Sequence, residues 1–196
     1  MQTTRAETVT FSSLMGEIAL SLNQIARSNY VLAVERAAKL LASAFQTGHK
    51  VLVFGNGGSS ADAQHICGEL VGRFLKERRA LPAIALTANQ AVLTAWANDY
   101  AYDEIFARQI QAHGNANDVA WAISTSGNSA NVLAGLQAAR DRGLHTIALT
   151  GQGGGKAAEL ADILLAVPLQ ETPRIQEVHL ITYHAICAAV EQMLFP

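Results

Sequence analysis

The chain has 196 residues, half of them hydrophobic, and a formal net charge of −2. This length predicts one domain with a full core, and the scattered basic residues exclude the charge footprint of a nucleic-acid-binding protein. The two cysteines suit a reducing compartment, and no apolar run is long enough for a signal core or a bilayer span, so we expect a cytoplasmic protein with no membrane partner.

The predicted elements alternate between helices and short apolar strands. Two helical stretches occupy about 12–45, and Leu14, Ile18 and Leu22 form an apolar stripe on the first. Further helical patterns lie at 59–74, about 89–113, 128–142, 155–161 and 174–195. Five strands are predicted: KVLVFG (50–55), LPAIAL (81–86), DVAWAIS (118–124), HTIALTG (145–151) and ILLAVP (163–168).

Continuous apolar strands that alternate with helices are typical of a parallel sheet covered on both faces. The sequence therefore predicts an α/β fold, a three-layer sandwich around a five-stranded parallel sheet. We expect a single domain over 1–196 that begins with an N-terminal helical region over 1–48.

Two of the predicted strands end in small polar residues that open a helix. The first such turn is FGNGGSS, after the first strand, and the second is ISTSGNSAN (123–131), after the third. Ligands of parallel sheets bind at the carboxyl ends of the strands, near a topological switch point. Since a helix N-terminus offers unpaired N–H groups and the positive end of a dipole, both turns are suited to an anion.

A phosphate ester fits these turns better than a dinucleotide does. The glycine turn lacks the Lys-Ser/Thr pair of a Walker loop, and Ser60 stands where the dinucleotide fingerprint needs a third glycine or alanine. The second strand also ends without the acid that would bind a ribose. Ser124, Thr125, Ser126 and Ser129 can bind one phosphate together, although a single serine at such a place more often only caps the helix.

The helix after the glycine turn carries an imidazole and a carboxylate four residues apart, His65 and Glu69. Residues at this spacing share one helix face, which suits two metal ligands or a base beside an electrophile. The alternative is an ordinary ion pair between Glu69 and Arg73, again four residues apart.

The last helix carries further candidate ligands. Thr172 is the predicted N-cap and Pro173 the predicted first residue. Gln176 and His184 then lie about two turns apart on a similar face. His179 competes with His184, and spacing alone does not choose between the two histidines.

Six motifs carry a resemblance that covers nearly the whole chain after the N-terminal helices. They are GNGGSSADAQHICGELVGRF, ALPAIAL, AWANDYAYDEIFARQI, AISTSGNSANV, ALTGQGGGKAAELAD and RIQEVHLITYH. Together they resemble the phosphoheptose isomerase family of sugar isomerase (SIS) domain proteins, with a flavodoxin-like sheet. The resemblance implies an aldose–ketose isomerase that converts sedoheptulose 7-phosphate to D-glycero-D-manno-heptose 7-phosphate, the first step of heptose supply for lipopolysaccharide or related glycans. It also implies a homotetramer with active sites between subunits, in which we expect 1–48 to serve oligomerisation.

The resemblance assigns roles to individual positions. It implies zinc as the cofactor, with His65, Glu69, Gln176 and His184 as ligands, and Glu69 and His184 also match the acid/base pair of the family. The implied substrate contacts are Asn56, Gly57, Gly58, Glu69, Asn98, Asp99, Ser124, Thr125, Ser126, Ser129 and Gln176. One position departs from the pattern: some members carry an aspartate three residues before the glutamine, where this chain has Pro173.

The alternative function is that of a non-catalytic SIS-domain protein, which binds a phosphosugar or the replication initiator without turnover. In the relative that associates with the replication initiator, the acid and the last histidine are replaced. Here Glu69 and His184 are both present, which favours an enzyme.

Overall fold

A five-stranded parallel sheet forms the centre of the protein in the computed structural model, which describes residues 10–196. The strands are β1 (Val51–Gly55), β2 (Ala83–Ala85), β3 (Val119–Ser124), β4 (His145–Thr150) and β5 (Ile163–Ala166). Their order across the sheet is β2-β1-β3-β4-β5, and every neighbouring pair is parallel. The predicted α/β class and the five strands are confirmed.

Seven α-helices accompany the sheet within residues 10–196. They are α1 (Phe11–Ala26), α2 (Tyr30–Gln46), α3 (Gly58–Val71), α4 (Gln90–Asp99), α5 (Ile105–His113), α6 (Ala130–Asp141) and α7 (Thr172–Leu194). Short 3₁₀ segments occupy Tyr102–Glu104 and Gly155–Glu159. The first nine residues of the predicted region 1–48 lie outside the described residues.

The three layers follow from the alternation of side chains along each strand. On β1, Val51 and Val53 pack under α2, α3 and α7, whereas Leu52 and Phe54 face α5 and α6. All four side chains are fully buried. Since successive side chains of a strand point to opposite faces, an apolar residue at every position needs a cover of helices on both sides.

The predicted helix over 89–113 is wrong as a single element, because the chain breaks between α4 and α5. Tyr100 leaves the helical conformation at φ −131° and ψ −96°. Asn98 and Asp99 precede the break and hydrogen-bond each other through their side chains at 2.8 Å. Asn and Asp compete with helical hydrogen bonds in this way, so they often end a helix.

The predicted N-cap of the last helix is wrong by one residue. Glu171 is the N-cap of α7, without a side-chain capping bond, and Thr172 is already helical. Pro173 lies in the first turn, where its missing N–H costs little because the first N–H groups of a helix have no partner within it.

The N-terminal helix uses its apolar stripe partly within its own chain. Leu14 and Ile18 are half-buried, and Leu22 packs against a small cluster that includes Ile25. Phe11 remains 79% exposed. Along residues 10–196, no helix combines the length and the apolar character that a membrane crossing requires.

Candidate active site

The two polar turns predicted from the sequence meet at the centre of the sheet. Strands β1 and β3 are neighbours, and the helices that follow them, α3 and α6, cover opposite faces. This arrangement is the topological switch point at which parallel sheets bind ligands. Asn56 and Asn131 bridge the two turns with reciprocal side-chain hydrogen bonds of 2.8 Å, and the Tyr102 hydroxyl donates to Asn56 Oδ1 at 3.1 Å.

The end of the glycine turn brings two predicted site residues, Gly58 and Gln176, together. Gly57 has a positive φ of 54°, which favours glycine. A Cβ at Gly58 would lie 2.7 Å from Gln176 Nε2, so the glycine admits the first turns of α7 to this side of the crevice.

The serine turn keeps its hydroxyl groups free of helix capping. Ser129 is the N-cap of α6, yet its side chain makes no capping bond. Instead its Oγ lies 3.2 Å from Ser124 Oγ, and Ser126 Oγ accepts the N–H of Asn128 at 3.2 Å. The capping interpretation therefore does not describe these serines, and the hydroxyls lie together at the N-terminus of α6.

The glycine-rich loop after β4 packs against the serine turn. Gly127 has a φ of 63°, and a Cβ there would lie 2.0 Å from the Gly154 carbonyl oxygen. The Ala157 N–H donates to the Gly127 carbonyl at 3.0 Å, and the Lys156 N–H donates to Asn128 Oδ1 at 3.1 Å. The shape of the turn is thus determined by a second loop that follows β4.

The histidine and glutamate of α3 meet the last histidine of the chain. His65 Nε2 lies 3.0 Å from Glu69 Oε1, and His184 Nε2 lies 3.5 Å from His65 Nε2. Ligand atoms of all three residues lie within 4.8 Å of one another, so the group can hold a metal ion. We call His65, Glu69 and His184 the cluster.

The competing ion pair of Glu69 with Arg73 is not formed. Arg73 Nε pairs with Glu77 Oε1 at 2.9 Å, and both side chains are exposed. Glu69 turns away from Arg73 toward the cluster, with 22% of its side chain exposed.

The choice between the two histidines of α7 is decided by burial. His179 is fully buried, and its Nε2 donates to the Thr150 carbonyl at 3.1 Å. Burial lowers the pKa of His179 to about 4, so its imidazole is neutral. His184, five residues later, reaches the cluster instead.

Tyr183 and Asp62 complete the surroundings of His65, and sequence reasoning missed both. The Tyr183 hydroxyl lies 3.0 Å from His65 Nδ1 and donates to Asp62 Oδ1 at 3.4 Å. Burial and the Asp62 carboxylate raise the pKa of Tyr183, so the hydroxyl keeps its proton. The position of Tyr183 directly before His184 in the chain was the one local feature that could have indicated its place near the cluster.

The donor atoms of the cluster fit a zinc ion. In the tautomer in which His65 donates its Nδ1 proton to the Tyr183 hydroxyl, Nε2 keeps its lone pair for a metal ion on the side of the Glu69 carboxylate. Two imidazoles and one carboxylate are a known ligand set of catalytic zinc, with a fourth position open. Bonds of about 2.0–2.2 Å to a tetrahedral ion place its ligands roughly 3.4 Å apart, close to the observed 3.0 and 3.5 Å.

The structure places the remaining predicted site residues outside the cluster. Gln176 lies beside Gly58 at the start of α3, so its place as a fourth metal ligand stays a prediction. Asn98 and Asp99 are exposed at the end of α4 and bond to each other. Pro173, at the position where some family members carry an aspartate, lies in the first turn of α7.

Comparison with known proteins gives one consistent result. The SIS domain family model matches residues 16–151. A phosphoheptose isomerase from Synechocystis sp. is 53% identical over 175 residues, 89% of this chain and 90% of the relative. The chain belongs to the phosphoheptose isomerase family of SIS-domain proteins. Solved phosphoheptose isomerases from Neisseria gonorrhoeae and Francisella tularensis are 41% and 38% identical, with TM-scores of 0.87 and 0.88, each over 92% of this chain and 96% of theirs.

Membership of the family confirms the resemblance drawn from the six motifs. It also confirms the SIS fold and the prediction that the chain is an isomerase. Both polar turns therefore lie at the switch point of a sugar phosphate isomerase fold, and the cluster lies further along α3, where α7 packs against it.

Proposed function

We propose that the protein converts sedoheptulose 7-phosphate to D-glycero-D-manno-heptose 7-phosphate, as the first step of heptose supply for lipopolysaccharide or related glycans, in the cytoplasm. The observation that carries the proposal is the approach of Glu69 to two imidazoles, 3.0 Å from His65, on the helix that follows the glycine turn. The names of relatives that are more than half identical support the substrate. Cys67 and Cys187, both free and buried, fit a reducing compartment.

The reaction moves hydrogen between two neighbouring carbons and their oxygens. Glu69 takes the proton from the carbon next to the carbonyl and returns it to the neighbouring carbon, so that a ketose becomes an aldose with no outside reductant. His184 moves the proton between the two oxygens or assists ring opening. The serine turn binds the phosphate through hydroxyl and N–H groups, and Asn56, Gly57, Gly58, Asn98, Asp99 and Gln176 are proposed to contact the sugar.

A zinc ion held by the cluster would supply a Lewis acid that polarises the substrate carbonyl. Ligation and proton abstraction both need the Glu69 carboxylate, and ligation weakens it as a base. We infer that Glu69 serves the two roles at different stages of turnover.

The alternative is a phosphosugar-binding or initiator-binding protein without turnover. Glu69 and His184 are both present and close together, which the alternative does not require. Incubation with sedoheptulose 7-phosphate, followed by identification of the product, tests the proposal. A protein that binds the sugar phosphate and returns it unchanged belongs to the alternative class.

Replacing Ser124 and Ser126 together by alanine should raise KM steeply. Each lost hydrogen bond to a charged phosphate is worth roughly 1.5–3 kcal/mol, about tenfold or more in affinity. Initial rates over a range of substrate concentrations measure the change. The melting temperature of the double variant serves as the structural control and should stay near the wild-type value, because α6 has no side-chain capping bond to lose. An unchanged KM in the double variant would remove the serines from phosphate binding.

We also propose a homotetramer with active sites between subunits, assembled in part through the N-terminal helices. His65 is exposed in the single chain, so the cluster is open to solvent on one side. An apolar groove between α1, α2 and α7, lined by Val31 and Ile181 among others, is available for a second copy. These features support assembly, since an uncovered apolar groove is a common mark of an interface.

Light scattering should give a particle mass of four chains at micromolar concentration. Val31→Glu places a charge in the groove and should shift the particle to a smaller mass, because a buried charge without a partner is costly. Gln46→Glu, with the same charge change on an exposed position of α2, should leave the mass unchanged. A monomeric wild-type protein would reject both the tetramer and the shared active site.

A further inference from the structure

A buried ion pair joins the two helices that carry the cluster. Arg78 lies in the segment between α3 and β2, and Glu191 lies on α7, seven residues after His184. Arg78 Nε is 3.0 Å from Glu191 Oε1, and the two side chains are only 1% and 2% exposed. A pair buried to this degree must have its remaining polar atoms satisfied to persist.

Glu191 collects the main-chain N–H groups that follow α3. Its Oε1 accepts from Phe74 at 2.8 Å, and its Oε2 accepts from Leu75 at 2.8 Å and Lys76 at 2.9 Å. Burial opposes ionisation, but these donors and Arg78 outweigh it and lower the pKa of Glu191. The same contacts explain why α3 ends at Val71, three residues before the predicted end.

Arg78 binds the last carbonyl groups of α3, which have no partner inside the helix. Its Nη2 donates to the main-chain carbonyl of Glu69 at 2.7 Å, and its Nη1 donates to that of Leu70 at 2.8 Å. A continuous path of hydrogen bonds therefore runs from the main chain of Glu69, through Arg78 and Glu191, to α7. Phe74, whose main-chain N–H donates to Glu191, places its ring centroid 5.2 Å from that of His184.

We propose that Arg78 and Glu191 are positioning residues that set the separation between Glu69 and His184. Neither side chain reaches the cluster, and both act through the main chain of the helices that carry it. The inference rests on the proposed function, because it assigns a purpose to the alignment of that same site. A displacement of about 1 Å in a reacting group can cost roughly 100-fold in rate, so the docking of α7 on α3 controls turnover.

The single variant Glu191→Gln keeps the side chain's shape and turns one accepting oxygen into a donor that faces N–H groups. We expect kcat to fall at least about tenfold and zinc to bind roughly 10–100-fold more weakly, as when a ligand loses its supporting contact. KM should change little, because the glycine and serine turns lie elsewhere. Steady-state kinetics and a zinc titration against a competing chelator give these values.

The matched control is Asp118→Asn. Asp118 is also 2% exposed, accepts main-chain N–H groups of Lys50 and Asn115, and pairs with the Lys50 ammonium. It precedes β3, and its hydrogen-bond partners lie in the segments before β1 and β3 rather than on α3 or α7. This control should lower the melting temperature while kcat and zinc affinity stay at wild-type values.

A double variant, R78M/E191Q, separates alignment from folding. E191Q alone leaves the Arg78 charge buried without a partner, whereas the double variant removes that charge and should recover melting temperature. If Arg78 and Glu191 position Glu69 and His184, kcat and zinc affinity stay low in the double variant. If both return together with stability, the positioning role is overturned.

The outcomes separate this inference from the proposed reaction. Wild-type values in E191Q overturn positioning and leave the reaction untouched. A wild-type protein that binds zinc but has no turnover ends the proposed reaction, and the zinc affinities of the variants then decide on positioning. A wild-type protein with neither property overturns both.

Discussion

Glu69→Gln should lower kcat by at least the roughly 10²–10⁴-fold that a general base contributes. The amide keeps the shape of the side chain and an oxygen that can accept a hydrogen bond or ligate, but it cannot take a proton from carbon. Affinity for the sugar phosphate should persist, because the two turns proposed to bind it are unchanged. His184→Gln should show the same pattern, with turnover lost and affinity retained.

Glu77→Gln is the matched control for this prediction. Glu77 lies eight residues after Glu69 and forms an ion pair with Arg73. Its side chain is 89% exposed. An exposed ion pair contributes little to stability, so this variant should keep wild-type kcat and melting temperature. Measuring kcat, affinity and melting temperature on all three variants decides the role. Normal turnover in E69Q would remove Glu69 from the mechanism and favour a binding protein.

Removal of the metal should have the other large effect. His65→Ala takes away one of three clustered donors, so zinc affinity should fall by more than the roughly 10–100-fold that follows loss of a ligand's supporting contact. Turnover should fall with it, and a chelator should reduce wild-type turnover until zinc is restored. Metal content by mass spectrometry and kcat with added zinc measure both changes.

His145→Ala provides the comparison for the metal experiment. His145 is exposed at the start of β4 and is not a member of the cluster. It should keep both zinc and turnover. The melting temperatures of the metal-free proteins should be similar, since His65 is exposed and contributes little to the core. Full activity in rigorously metal-free wild-type protein would contradict the prediction. It would show that acid/base chemistry is sufficient without a metal.

The local features of the site were accessible from sequence because they depend on neighbours in the chain. The apolar strands end in turns of small polar residues, and a four-residue spacing puts His65 and Glu69 on one helix face whatever the rest of the fold does. Parallel strands then bring the two turns to one edge of the sheet. The observed order, with β1 beside β3, places them together.

Interactions between distant elements were decided only by the tertiary structure. Helical spacing alone did not choose between His179 and His184, although the family resemblance favoured His184. The docking of α7 buried His179 and brought His184 to α3. The four-residue spacing also allowed an ion pair between Glu69 and Arg73, but in the structure Arg73 pairs with Glu77.

The ion pair of Arg78 and Glu191 shows the same limit over a longer distance. The two residues are 113 positions apart, and neither stands out beside the charged residues of its neighbourhood. Helical and strand periodicity reports which face of an element is apolar, over a few residues at a time. The angle and the depth at which α7 packs on α3 depend on many side chains together, and that packing decides which polar groups meet.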